Sequence, residues 1–328
     1  MTMLHPPLRS AIAFACALPL YAFALDAPLK GHDPIEIPNS KGGFDYLQVD
    51  NQKRRLLLDH TGNGTLDIID LNTEKVLKQI KTGAAQGVAV DSQRSRYYVS
   101  VSREKKLVII DSQTVEKTGE VPLPGPGDAL AFDPKNQLVY VGHDDAGDVW
   151  AIDPAALRIA ATIPIAEGPE YIIYDPEADR LFQNIKSNDT LLILDPASNA
   201  VKATWPTGVA KHPHGMAFDP RTRRLFVAGT NGKLAVLSSV DGKALCLADM
   251  VTGVDQIALD PARQRLYCPS SSGKLTVLDT SGDSVKALGD VTTARGSKTV
   301  AVDPTTHAVW IAYAQAGKTF TRKFTLPN

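Results

Sequence analysis

Short apolar runs alternate with polar turns along almost the whole of this chain, and no stretch repeats with a helical period. The runs are rich in Val, Ile, Leu and Tyr and are bounded by Gly, Pro, Asn and Asp, the pattern of many short strands joined by tight turns. The clearest unit is Pro213-His214-Gly215-Met216-Ala217-Phe218-Asp219-Pro220, followed by Arg221-Thr222-Arg223-Arg224 and then Leu225-Phe226-Val227-Ala228-Gly229. An apolar run closes on Asp, a charged turn follows, and a second run carries an aromatic residue. The closing Asp recurs at Asp50, Asp91, Asp133, Asp175, Asp219, Asp260 and Asp303, in steps of 41, 42, 42, 44, 41 and 43 residues. A second Asp follows at Asp70, Asp111, Asp153, Asp195 and Asp279, with Ser239 and Lys323 in the other two copies.

A period in the low forties, with four strands per unit (A to D), predicts an all-β, seven-bladed β-propeller. The seventh copy stops after three strands, at Thr299–Asp303, Ala308–Tyr313 and Thr319–Phe324. The segment Pro34-Ile35-Glu36-Ile37-Pro38 belongs to no complete unit. It should supply the outer strand of the last blade and leave no open edge at the seam. Residues 25–328 are thus expected to form one domain. The recurrent Asp residues read as turn formers, because an Asp side chain can accept backbone N–H groups two residues on.

Runs such as Arg96-Tyr97-Tyr98-Val99-Ser100 and Leu138-Val139-Tyr140-Val141-Gly142 resemble the Tyr-Val-Thr-Asn (YVTN) repeat propellers, in particular the YncE-like exported bacterial proteins. The resemblance covers residues 34–324. The family's Asn is replaced by Ser100, Gly142, Ala228 and Ala312 and kept at Asn184. The resemblance implies a seven-bladed disc and a signal peptide and names no reaction. Streptogramin lyases and lactonases share the architecture, but their catalytic residues match no positions here.

The first 24 residues change the picture of where the protein works. One basic residue precedes an apolar run from Ser10 to Ala24, and Ala22-Phe23-Ala24 fits a small-residue cleavage signal. A signal peptide cut after Ala24 is expected, and with it a periplasmic or secreted protein. The run is short of the ~20 residues a membrane span needs. Charge adds little: 35 basic and 36 acidic side chains balance, so no nucleic-acid partner is implied. Cys246 and Cys268 fall on non-equivalent strands and read as separate buried thiols.

Chemistry is sought where the scaffold does not dictate the residue. Five residues before each repeat Asp, at the expected mouth of the channel, stand Asp45, Gln86, Asp128, Glu170, His214, Asp255 and Lys298. Like charges crowded there raise one another's pKa or recruit a cation. Asp45, Asp128, Glu170, His214 and Asp255 could hold a divalent metal ion, the one cofactor the sequence suggests. The competing reading is a solvated polar funnel balanced by Lys298. Arg295, in the last top loop, could meet an anionic ligand. Ends of the second strands add His60 and His143, so His214, His143 and His60 are the acid–base candidates. Two function classes follow: a monomeric binding or scaffold propeller that takes a small ligand, metal ion or protein partner on this face, or a metal-dependent lyase or lactone hydrolase using the same ring. The basic turns of the opposite face, Lys53-Arg54-Arg55 through Arg263 and Arg265, offer a weaker nucleic-acid alternative. No Gly-x-Ser-x-Gly, P-loop or zinc-type spacing occurs.

Overall fold

The computed structural model describes residues 1–2, 27–144 and 146–327. Nearly all of the leader, together with Asp145 and Asn328, lies outside them. Six antiparallel four-stranded sheets and one five-stranded sheet stand around a central axis, and the innermost strands contact one another in ring order, the seventh against the first. This is the seven-bladed propeller that the period predicts. Blade 2 shows the unit: innermost strand Ala85–Asp91, then Arg96–Val101, Lys106–Asp111 and outermost Glu116–Pro122. Among the described residues no helix is long and apolar enough to cross a membrane.

The last blade closes as expected, with an addition. Ile35–Ile37 pairs with Lys318–Thr325 in the register Ile37↔Thr319, and a further strand, Lys30–Gly31, pairs with the same partner further along. Ile37 and Leu29 are buried at this seam. The cores lie between blades, built from alternate residues of neighbouring sheets; one example sets Tyr98, Leu107 and Ile109 of blade 2 against Val139, Val141 and Trp150 of blade 3. Cys246 and Cys268 are both free.

The repeat Asp residues do the turn chemistry. Asp50 Oδ1 accepts the Lys53 N–H, Asp91 Oδ1 accepts that of Arg94, and Asp70 accepts those of Asn72 and Thr73. The residue four after each first Asp has left-handed backbone in all seven copies: Arg54, Ser95, Gln137, Asp179, Arg223, Gln264 and His307. That geometry turns three of these side chains onto the Asp of the preceding blade. Arg54 pairs with Asp303 at 2.5 Å, Arg223 with Asp175 at 2.5 Å, and His307 with Asp260 at 2.8 Å. Other arginines of the basic rim reach the outer turns: Arg96 meets Asp111, and Arg224 donates to the Thr280 and Gly282 carbonyls. Much of the rim is therefore spent as latches between and within blades.

Candidate functional site at the channel mouth

The ring read from the sequence converges at one mouth of the channel. Lys298 Nζ lies 2.7 Å from Asp255 Oδ2 and 3.2 Å from Asp45 Oδ1. Glu170 Oε1 lies 2.7 Å from Lys186 Nζ and 3.5 Å from His214 Nε2. Donor atoms of Glu170, His214 and Asp255 all fall within 4.8 Å of one another. Asp128 is 6% exposed and makes no ion pair with a described residue, yet it lies in electrostatic range of Glu170, Asp45, Asp144 and Asp255, and of the cation Lys186. With Asp144 3.9 Å from Lys186, five carboxylates thus share two lysines.

Burial is the main influence on these acids. It pushes Asp45 up to about 7 from an ordinary 3.8, with Lys298 pulling the other way and Asp255 adding to the rise. It lifts Asp128 well above the usual range, helped by Glu170 and Asp45. Glu170 is raised by burial against the opposing pull of His214 and Lys186. Lys298 is desolvated too, but Asp45 and Asp255 outweigh that and hold its charge.

Backbone features fix the geometry. Gly215 lets the innermost strand of blade 5, Pro213–Asp219, approach blade 6: a Cβ there would sit 2.9 Å from the Asp255 carbonyl. Asn184 Nδ2 donates to the His214 carbonyl at 2.9 Å. Gln256 spans the axis, accepting from the Leu47 and Val300 N–H groups and donating to the Leu47 carbonyl at 2.9 Å. Tyr46 and Tyr171 pack edge to face beside it, ring centroids 5.2 Å apart. Tyr171 and Gln256 also line a lower chamber of about 730 Å³. Nothing but the place of Tyr46, Tyr171 and Gln256 one residue after ring positions marked them in the sequence. The other such places hold Gly87, Ala129, Gly215 and Thr299, all small.

Asp59 is a second unforeseen residue. It occupies the strand position of Ser100 and Asn184, and both of those donate to a mouth carbonyl of the next blade. Asp59 is fully buried and neither oxygen has a hydrogen-bond partner among the described residues. Burial, then Asp45 and Asp67, push its carboxyl well above the usual range. A neutral acid is what this site can hold.

The histidines do not gather. His60 is fully buried, 2.6 Å from Asp67 and stacked on Phe44, so it belongs to blade 1's core. His143 packs on Trp150, 3.5 Å from Asp148. Only His214 joins the carboxylates. Gln86 leaves its buried Oε1 without a partner, and Arg295 is exposed.

Fold and mouth define a class: a seven-bladed propeller whose channel opens through an acidic, lysine-clamped ring. The chain belongs to the cytochrome D1 heme domain family, whose model matches residues 56–264. It is similar in structure to hydrazine synthase of Kuenenia stuttgartiensis, at 14% identity and TM-score 0.74, covering 88% of this chain and 96% of that one. A chain of a mitotic checkpoint complex matches at 13% identity and TM-score 0.76, covering 96% and 98%. At such identities the likeness shows the fold alone. No curated protein matches the sequence.

The residues present do not fit the heme of the family's description. The lower chamber is lined by groups such as Val88, Leu130, Ile172 and Val300 and has no imidazole or thiolate in its wall. The one imidazole at the mouth, His214, stands among carboxylates that would repel the anionic side chains of a heme.

Proposed function

We propose that this chain is an exported binding protein, a YVTN-repeat, YncE-like propeller, that takes a cationic group at the acidic mouth. Asp128 carries the reading. A carboxyl this buried, in range of four other acids and sharing Lys186 with Glu170 and Asp144, stays protonated unless further positive charge reaches it. Export is supported by the leader's composition, and the cation site by the mismatch of five carboxylates to two lysines.

Calorimetric titration of the mature chain with divalent chlorides and with a diamine such as putrescine tests this. Saturable binding is expected, weakened at least about tenfold in Asp128→Asn, a loss of roughly 1.4 kcal/mol. Silence across the whole panel, or equal binding by the variant at unchanged melting temperature, would remove the proposal.

A further inference from the structure

We propose that Glu170, His214 and Asp255 chelate a first-row divalent metal ion, and that Lys186 and Lys298 are resident counterions that give way to it. This rests on the mouth being a cation site and names the cation. The imidazole carries the argument. His214 Nδ1 lies 2.9 Å from the His212 carbonyl oxygen, which can only accept, so in the neutral ring the proton sits on Nδ1. In that neutral ring Nε2 carries the lone pair a metal ion would take, and it faces Glu170 Oε1, 3.5 Å away. Anchoring of the remote ring nitrogen on a backbone carbonyl is how metal-binding histidines are oriented.

The spacing suits a metal. At bond lengths of about 2.1 Å, donors 3.5 Å apart subtend about 113° at a shared ion, close to tetrahedral. Asp255 supplies a third donor within 4.8 Å of both. Asp128, buried and without an ion pair, stands by as a further carboxylate. One imidazole with carboxylates favours Zn²⁺ or Mn²⁺ over Ca²⁺, which takes six to eight oxygens. The lysines already neutralise two of the donors: Lys186 on Glu170 and Lys298 on Asp255, each at 2.7 Å. A dication must compete with them, so removing one should tighten metal binding.

Metal-stripped mature chain would be titrated with Zn²⁺, Mn²⁺ and Ca²⁺ against a chromophoric chelator. One Zn²⁺ or Mn²⁺ per chain is expected, with His214→Ala and Glu170→Gln each weakening it at least about tenfold. Lys298→Met should tighten it, by roughly five- to tenfold. His214 is partly exposed, so its variant should fold, and melting curves check this. No stoichiometric metal, a preference for Ca²⁺, or indifference to His214→Ala overturns the metal site. Weaker binding in Lys298→Met overturns the counterion role. If amines bind while metals do not, this inference fails and the cation-site reading stands.

Discussion

Asp45 gives a measurable consequence of burying an acid ring. A carboxyl whose folded pKa exceeds its unfolded value binds more protons in the folded state. Its ionisation therefore costs nothing below about pH 4, costs progressively more as pH rises through about 7, and is fully felt above that. The rise from 3.8 to about 7 is roughly three units. At about 1.4 kcal/mol per unit, the ceiling is ~4 kcal/mol of lost stability at alkaline pH. Asp45→Asn removes that cost, and the pull of Lys298 is already within the net rise; local rearrangement around the ionised acid keeps the gain below the ceiling. The variant should be more stable by about 1–3 kcal/mol at about pH 8.5, or roughly 2–6 °C in melting temperature for a chain of this size. The gap should shrink as pH falls and level off below about pH 4, where Asp45 is protonated in the folded and unfolded chain alike. Differential scanning calorimetry across that range, with EDTA present to strip metal ions, measures this. A gap that does not change with pH, or a wild type more stable at alkaline pH, would refute the reasoning.

Two further outcomes concern the scaffold. Ile37 is 1% exposed at the seam, so Ile37→Ala should cost about 2–4 kcal/mol in chemical denaturation, and deleting 28–37 should cost more and promote association through the bared edge of Lys318–Thr325. The Asp303 carboxyl is held down at about 2: burial acts upward but is outweighed by Arg54, Thr306 and the Thr305 N–H. Its contribution is present above about pH 4 and lost as pH falls towards 2, so Arg54→Ala should cost about 1–2 kcal/mol at neutral pH, after discounting for solvent at Arg54, and progressively less in acid unfolding.

The period alone carried the fold, because each blade is the same local problem solved seven times. Register also followed, since the Asp that closes each first strand fixes which residues face which neighbour. The ring positions were legible for the same reason, as places where the repeat allows side chains to differ. Pairings were not legible. Lys186 reaches Glu170 from a neighbouring loop, and Gln256 reaches Leu47 from five blades away along the chain, contacts that no period encodes. His60 and His143 look alike to the repeat, but Asp67 and Phe44 on one side and Trp150 on the other turn them into core residues. Asp59 stood at the motif's Asn position, yet only its burial shows that it must be neutral.

The seam also bears on the order of assembly. Every other blade is a run of hairpins, so its contacts are local and can form as soon as about forty residues are available. The final blade joins Lys30–Gly31 and Ile35–Ile37 to Lys318–Thr325, the longest loop closures among the described strands. Synthesis makes those N-terminal strands first, and they find their partner only when the last strand exists. The ring is therefore a clasp whose two halves are made at opposite ends of translation, and its closing should be the slow, all-or-none step that turns seven hairpin stacks into one cooperative unit.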